Sequence, residues 1–219
     1  MKILFMCGYY SDAAHQSLAR TQDYWDAYHF CRAVRSGEFE QPFQIHTQRD
    51  KVGVRASNIG LARRAYGKFI ANRIAEEASW SSPLLVPMPS DDALIDATQF
   101  RSWVMANEAL APTELKWSLV DALFWTKPPP PLVQDAEASQ REAIAAMMTC
   151  DFPVRGQAVV LIDDIISTGT TLLAARERLE AEGAVVLGAL ACGHVTHDFN
   201  IKPFARQEIW LEDKFADAT

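Results

Sequence analysis

The chain has 219 residues, 49% of them apolar and 22% charged, a balance that fits one globular domain with elaborations and a core that needs no staples. Its net charge of −7 argues against a general affinity for nucleic acid or anionic membranes. Cys7, Cys31, Cys150 and Cys192 are scattered without a Cys-x-x-Cys pair, which speaks against a zinc ribbon or a disulfide framework and for reduced, buried thiols in a cytosol.

The opening apolar run from Lys2 to Gly8 is too short for a secretory signal, and Ile3 to Met6 within it reads as a short buried strand. Tyr24 to Val34 has helical spacing, with Trp25, Tyr28 and Cys31 or Arg32 on one side and Gly37 placed to end it. Phe43 to Thr47 and Val52 to Arg55 can pair as a small hairpin. A stronger helix, Ile59 to Trp80, repeats Leu61, Ala65, Tyr66, Phe69, Ile70 and Ile74 at three and four. Its cations Arg63, Arg64, Lys68 and Arg73 are expected on solvated surface. From Leu84 the chain alternates strand and helix. Leu84 to Val86 is a strand closed by Pro87 and Pro89, and a helix follows from about Ala93 to Leu110. Ser118 to Phe124 is the next strand. A stiff, extended loop holds Pro128 to Pro131, and a helix runs from about Ala136 to Met148. Ala158 to Ile162 is a strand, Thr170 to Glu182 a helix ended by Gly183, and Ala184 to Ala191 a further strand.

Repeated strand–helix units predict an α/β fold, a parallel central sheet with helices on both faces. Such sheets bind ligands at the carboxyl ends of their strands. Trp103, Trp117, Phe124, Trp125 and Trp210 are assigned to the core by default. No stretch approaches the roughly 20 apolar residues of a membrane span, so the expected location is the cytoplasm.

The chemistry concentrates after the apolar run Val159 to Ile162, a strand of the kind buried on both faces. Asp163 and Asp164 stand at its carboxyl end. Two isoleucines follow, and then Ser167-Thr168-Gly169-Thr170-Thr171 opens a helix. Free N–H groups at a helix start, with the positive end of the helix dipole, attract a phosphate. The hydroxyls add donors, and Gly169 lets the backbone approach closely. Adjacent carboxylates can accept hydrogen bonds from the vicinal hydroxyls of a sugar about one ribose away, so the string suits a ribose 5-phosphate. Helix capping by Asp164 or Ser167 would explain one such residue, not an acid pair followed by five small or hydroxyl-bearing ones. Neither Gly-x-x-x-x-Gly-Lys-Ser/Thr nor Gly-x-Gly-x-x-Gly occurs, which disfavours a P-loop nucleotidase and a dinucleotide fold.

Val159 to Thr171 resembles, along its whole length, the signature with which type I phosphoribosyltransferases bind phosphoribosyl pyrophosphate (PRPP). The order of elements from about Leu84 to Ala191 is also similar to that family's core. The resemblance implies a core over residues 81–219, with 1–80 as an N-terminal elaboration or hood packed on it. It gives Asp163 and Asp164 the ribose 2- and 3-hydroxyls, and Ser167, Thr168, Gly169, Thr170 and Thr171 the 5-phosphate. It makes Met88, Pro89, Ser90 and Asp91 the counterpart of a pyrophosphate loop. There the amides of Met88, Ser90 and Asp91 could face an anion, while Pro87 and Pro89 have none to offer. Asp91 and Asp92 stand where many relatives carry Arg or Lys. Two acids repel pyrophosphate unless Mg²⁺ stands between them. That ion would be held mainly by PRPP, with Asp163 or Asp91 as a protein ligand. Capping of the next helix by Ser90 or Asp91 is the alternative account of this loop.

Lys127, just ahead of the prolines where relatives carry a mobile closing loop, is the candidate catalytic cation, and Arg141 comes second. The alternative for each is a solvated surface residue. A looser likeness, of Leu119 to Lys127, Pro128 to Pro131 and Ser139 to Arg141, is to the ComF-like subgroup without its zinc ribbon. His194, His197 and Asp198 follow the last core strand and are expected on the rim of the acceptor pocket, with a metal site as the rarer alternative. The implied activity is transfer of the phosphoribosyl group to a nitrogen acceptor with release of pyrophosphate, in a protein that is often a homodimer. PRPP or a nucleoside monophosphate is the implied ligand. A PRPP- or nucleotide-responsive binding protein without turnover is the second possibility, and a partner-binding module with a vestigial site the third.

Overall fold

The computed structural model describes residues 1–9, 21–47, 50–129, 137–196, 202–205 and 207–211. In chain order its strands are Lys2–Tyr9 (β1), Phe43–His46 (β2), Lys51–Val54 (β3), Leu84–Pro87 (β4), Leu123–Trp125 (β5), Met148–Cys150 (β6), Ala158–Ile166 (β7), Val185–Val195 (β8) and Gln207–Trp210 (β9). Its helices are Gln22–Ser36 (α1), Gly60–Glu76 (α2), Arg101–Leu110 (α3), Glu137–Met147 (α4) and Thr170–Ala181 (α5). The central sheet has the order β4-β7-β8-β1-β9. Its neighbours run parallel except β9, which is antiparallel to β1.

The β7 sequence explains its place. Successive side chains of a strand point to opposite faces. Val160 and Ile162 therefore pack with α1, α2 and α3, while Val159 and Leu161 pack with α4, α5 and the β5–β6 hairpin. All four are fully buried, each contributing about 1.5–3 kcal/mol. A strand covered on both faces needs no polar alternation, which is why this run is continuously apolar. The α/β fold with a mostly parallel sheet between two helical layers is thus as expected. Residues 1–80 contribute to both sheet and cover: β1 pairs with β8 and β9, and α1 and α2 lie on one face. The helix pair α2–α3 is held close at Gly67, where a Cβ would fall 1.7 Å from the carbonyl oxygen of Ala109.

Several expectations are corrected. The helix expected from Ala93 begins only at Arg101. The run Ser118 to Phe124 does not enter the central sheet as a strand. Glu114–Ser118 is a 3-10 turn, Leu119 bridges Leu85 alone, and β5 pairs antiparallel with β6. The run is apolar because Ala122, Leu123 and Phe124 are buried against the β7 face. Burial was legible there, but the partner strand was not. Of the four α2 cations, Arg64 and Lys68 are exposed as expected. Arg73 is buried, paired with Glu76 at 2.8 Å and lying 5.2 Å from the Phe69 ring. Arg63 reaches Glu108 at 2.6 Å and donates to the Val34 carbonyl, tying α2 to α3 and α1. Trp125 and Phe124 are core, but Trp117 and Trp210 are 87% and 64% exposed. The cysteines are free thiols, three of them buried, with Cys7 and Cys31 sulfurs 3.4 Å apart. No helix among the described residues is long and apolar enough to cross a membrane.

Candidate ligand site

The carboxyl ends of β7 and β4 lie side by side, in the register Pro87 to Ile162, and each runs into a loop and a helix. Near the end of β7, which runs on past Ile162 to Ile166, Asp163 Oδ1 accepts the N–H of Asp164 at 2.8 Å, and Asp164 Oδ1 accepts that of Ile165 at 2.6 Å. Burial, and then the charge of Asp164, raise the Asp163 carboxyl well above the usual carboxylate range. The buried Tyr66 hydroxyl shares its one proton between the carbonyls of Asp163 at 2.6 Å and Leu190 at 3.0 Å, bracing β7 against β8. Burial keeps that phenol protonated, its pKa raised well above the ordinary value.

Gly169 then turns the chain at φ +81°, a left-handed conformation in which a side chain is strained. A Cβ there would also lie 2.3 Å from Leu211 Cδ1. The first bond of α5 runs from Leu173 N–H to Gly169 O, so the amides ahead of it have no intrahelical acceptor. Thr170 N–H only leans on Thr168 Oγ1 at 3.4 Å, and the Thr168 and Thr170 hydroxyls are 2.9 Å apart. These groups surround a pocket lined by Asp163 and residues 165–172. Hydroxyls, helix-start amides and a carboxylate converge on one concavity, an arrangement suited to a phosphorylated polyol.

The β4 loop is organised differently. Met88 N–H donates to Ile162 O at 2.8 Å, and Ser90 N–H to Ser102 Oγ at 3.1 Å. In return Ser90 Oγ accepts from Ser102 N–H at 3.1 Å and donates to Asp92 Oδ1, while Asp92 Oδ2 accepts Arg101 N–H at 3.0 Å. The Met88 and Ser90 amides expected to face an anion are therefore bonded inside the protein. Ser90 and Asp92, rather than Asp91, satisfy the first amides of α3. That is why α3 starts at Arg101: the loop must travel from Ser90 before it can cap the helix. The Trp125 indole N–H, between the carbonyls of Pro89 at 3.2 Å and Ser90 at 2.9 Å, locks β5 to this loop.

Residues 135–196 match the family model "Phosphoribosyl transferase domain". This stretch is similar to a phosphoribosyl transferase domain. Over 61 residues the chain is 39% identical to the adenine phosphoribosyltransferase of Corynebacterium efficiens, a match covering 28% of this chain and 32% of that protein. The chain thus spans about a third of this curated relative (32%). Among solved structures it is similar to the adenine phosphoribosyltransferase of Saccharomyces cerevisiae complexed with D-DIAB and adenine. There the TM-score is 0.41 at 13% identity, over 76% of this chain and 88% of that one. It is also similar to the orotate phosphoribosyltransferase of Mycobacterium tuberculosis H37Rv, at a TM-score of 0.38 and 15% identity, over 77% of this chain and 84% of that one. The family-model match and the curated relative bear out the type I phosphoribosyltransferase signature for the β7–α5 stretch. The ComF-like likeness stays a resemblance of its three short segments.

The acids of β7 and the β4 loop draw cations that the sequence did not announce. Arg101 donates through Nη1 to Asp164 Oδ2 at 2.8 Å and through Nη2 to Asp91 Oδ1 at 3.1 Å. Arg35, at the end of α1, places Nε 3.4 Å from the same Asp164 oxygen. Burial opposes the Arg101 charge, but Asp164 and Asp91 outweigh it and hold the guanidinium above its ordinary pKa. Its hydrogen bond also keeps the Asp91 carboxyl below the usual range. Asp91 thus has a cation after all, supplied from the next helix, while the Asp92 carboxylate accepts only the Arg101 N–H and the Ser90 hydroxyl among the described residues. Only spatial proximity could reveal it: ten residues separate Arg101 from Asp91, and 63 from Asp164.

Lys127 is exposed, two residues beyond Trp125. Arg141 lies 2.9 Å from Glu177, an ion pair joining α4 to α5. His194 packs its ring 4.9 Å from Phe5, while His197, Asp198, Pro130 and Pro131, and the side chain of Ser139, lie outside the described residues. Asp23, Asp26 and His46 also come together, but Lys51 lies 3.2 Å from Asp23, and buried Asp26 accepts from the Gln44 N–H and Gln22.

Proposed function

We propose that this chain binds PRPP with Mg²⁺ and transfers its phosphoribosyl group to a nitrogen acceptor, releasing pyrophosphate. The observation that carries this is the pocket at the start of α5, where helix-start amides and the Ser167–Thr171 hydroxyls share one concavity with Asp163. In this account Ser167, Thr168, Gly169, Thr170 and Thr171 hold the 5-phosphate, and Asp163 and Asp164 accept the ribose hydroxyls. Met88, Pro89, Ser90 and Asp91 border the pyrophosphate, with Arg101 rather than loop amides as the donor. The donor set suits a hard cation: Asp163 and Asp91 offer carboxylate oxygens, and the high pKa of Asp163 would fall beside a divalent ion. When bound, Mg²⁺ would neutralise charge on the departing pyrophosphate. In the same account the part of residues 1–80 outside β1, with the tail after Gly193, forms a hood over the acceptor, β1 itself being a strand of the central sheet. Cytoplasmic location and a homodimer belong to the same proposal.

The protein's own contribution is positional and electrostatic. The acids fix the ribose, the α5 start fixes the phosphate, and Lys127 meets charge developing on pyrophosphate in an oxocarbenium-like transition state. The test is pyrophosphate release from PRPP and Mg²⁺ across a panel of nitrogen bases and amines. Lys127→Ala should cut kcat by about 10²–10³ with PRPP affinity much less changed. Turnover with full kcat in that variant would remove Lys127 from the mechanism.

A second function, a PRPP-responsive binding protein without turnover, is favoured by the β4 loop, whose Met88 and Ser90 amides are already bonded internally. It predicts PRPP binding with no pyrophosphate above background for any acceptor.

A further inference from the structure

The following rests on the PRPP site proposed above and concerns what occupies Asp164 before a ligand arrives. Oδ2 of Asp164 faces Arg101 Nη1 at 2.8 Å and Arg35 Nε at 3.4 Å, and Oδ1 accepts the Ile165 N–H at 2.6 Å. A sugar hydroxyl approaching this carboxylate must compete with a guanidinium. The same guanidinium reaches the other loop, where Asp91 accepts from Nη2 at 3.1 Å. The Asp91 side chain is 79% exposed and that of Asp164 only 12%, so one arm of the fork faces solvent and the other faces inward. The Arg101 backbone is pinned by its N–H bond to Asp92 Oδ2 at 3.0 Å. Any movement of the guanidinium is therefore a swing of the side chain about a fixed base. A planar guanidinium binds phosphate oxygens in pairs, and a diphosphate offers more charge and more acceptors than one carboxylate.

We infer that Arg101 is an exchange residue: it holds Asp164 in the free protein, and a ligand's diphosphate draws it away, releasing the carboxylate to the ribose hydroxyls. Binding of the two halves of PRPP is then coupled. A ligand with a diphosphate removes the competitor that guards the ribose acid. A ligand with only ribose and 5-phosphate, such as ribose 5-phosphate or a nucleoside monophosphate, must displace Arg101 with nothing to receive it. Arg101 thereby sets a preference for the diphosphate-bearing substrate over monophosphate ligands.

The test is calorimetry on the full chain with Mg²⁺, using PRPP and ribose 5-phosphate as separate probes. Arg101→Gln should bind PRPP about 10–100-fold more weakly, the scale of a lost charge-assisted hydrogen bond. It should bind ribose 5-phosphate about 2–5-fold more tightly, because a part-exposed ion pair no longer competes. The opposite signs are decisive, since an arginine that only supports the fold would weaken both ligands together. Loss of both affinities, or unchanged PRPP affinity, overturns the exchange. Should Arg101→Gln fail to fold, Arg101→Lys carries the test. PRPP weakened with ribose 5-phosphate unchanged or tighter supports the exchange, and both weakened overturns it. A wild type that binds neither probe overturns the PRPP site itself. A wild type that binds both, with variants shifting them in the same direction, overturns the exchange alone.

Discussion

Two strand–loop–helix units lie side by side in the sheet and treat their polar groups in opposite ways. β7 passes through a short hydroxyl-rich loop into α5, and the amides before Leu173 are left without helical acceptors at the rim of a pocket. β4 enters a loop that turns its polar groups inward: Met88 on Ile162, Ser90 on Ser102, Asp92 on Arg101. A backbone donor committed to the fold is not available to a ligand at full strength. Both loops are rich in Ser, Asp and other small residues. What separates a binding loop from a capping loop is which group receives the amides. Arg101, the first residue of α3, links the two units through Asp91 and Asp164, so the self-satisfied unit also supplies the neighbouring acid's partner.

The largest expected effect breaks the open unit. In Asp163→Asn with Asp164→Asn, two charge-assisted acceptors for ribose hydroxyls are lost, each contributing about 1.5–3 kcal/mol. Affinity for ribose 5-phosphate should fall by about 10²–10⁴ in calorimetry while the fold is kept. That probe is preferable to PRPP, because the double variant also frees Arg101 for a diphosphate. An unchanged affinity in the folded variant would take both acids out of the site.

A smaller effect separates what the acids do for the ligand from what they cost the fold. The Asp163 carboxyl has a pKa raised above its unfolded value by burial and by Asp164. Between the ordinary value near pH 4 and the raised one, the native state binds more protons than the unfolded chain. The stability contributed by the protonated form is present at low pH and lost as pH rises through that window. Asp163→Asn cannot ionise, so its melting temperature should exceed that of the wild type. The advantage should be negligible below about pH 4, grow with pH, and then level off. For a chain of this size each kcal/mol corresponds to about 2–4 °C. A melting difference that does not vary with pH would show that Asp163 is ionised without cost.

The sequence revealed the open unit almost completely because its signal is local. Four apolar residues, two acids, a hydroxyl run and a helix start are contiguous from Val159 to Thr171, and each has one structural consequence. The self-satisfied unit was half legible. Ser90 and its acidic neighbours announced either a cap or an anion loop, but the helix they cap begins ten residues on, at Arg101, so local spacing pointed to Ala93. Arg101 and Arg35 were invisible as site residues, since they reach Asp164 from separate helices. An apolar run such as Ser118 to Phe124 reports burial without naming its partner strand. β9 escaped because Gln207–Trp210 is short, lies at the sheet edge and is partly exposed, with no apolar run to mark it. Arg63 and Arg73 were placed on the surface because charge suggests solvent, although a long aliphatic stem and a nearby carboxylate or carbonyl allow burial.

The smallest expected effect sharpens the comparison by changing one hydroxyl in each unit. Ser90 is buried and its Oγ serves both Ser102 N–H and Asp92, so Ser90→Ala removes a cap from α3 and leaves an amide unsatisfied. The expected cost is about 1–2 kcal/mol of stability, read as a lower melting temperature, with affinity for ribose 5-phosphate nearly unchanged. Thr168 is exposed at the pocket rim, its hydroxyl bonded only to Thr170 among the described residues. Thr168→Ala should leave stability within about 0.5 kcal/mol. It should weaken ribose 5-phosphate by about 2–10-fold, the scale of one neutral hydrogen bond. The two variants should therefore cross, one losing stability and the other affinity. If Ser90→Ala instead kept its melting temperature and lost affinity, the β4 loop would be a binding surface whose internal bonds open on contact with ligand. Its contrast with the α5 loop would then be one of the free state only. If both variants lost stability alone, the hydroxyls of the α5 loop would be caps as well, and phosphate recognition would fall to the backbone amides.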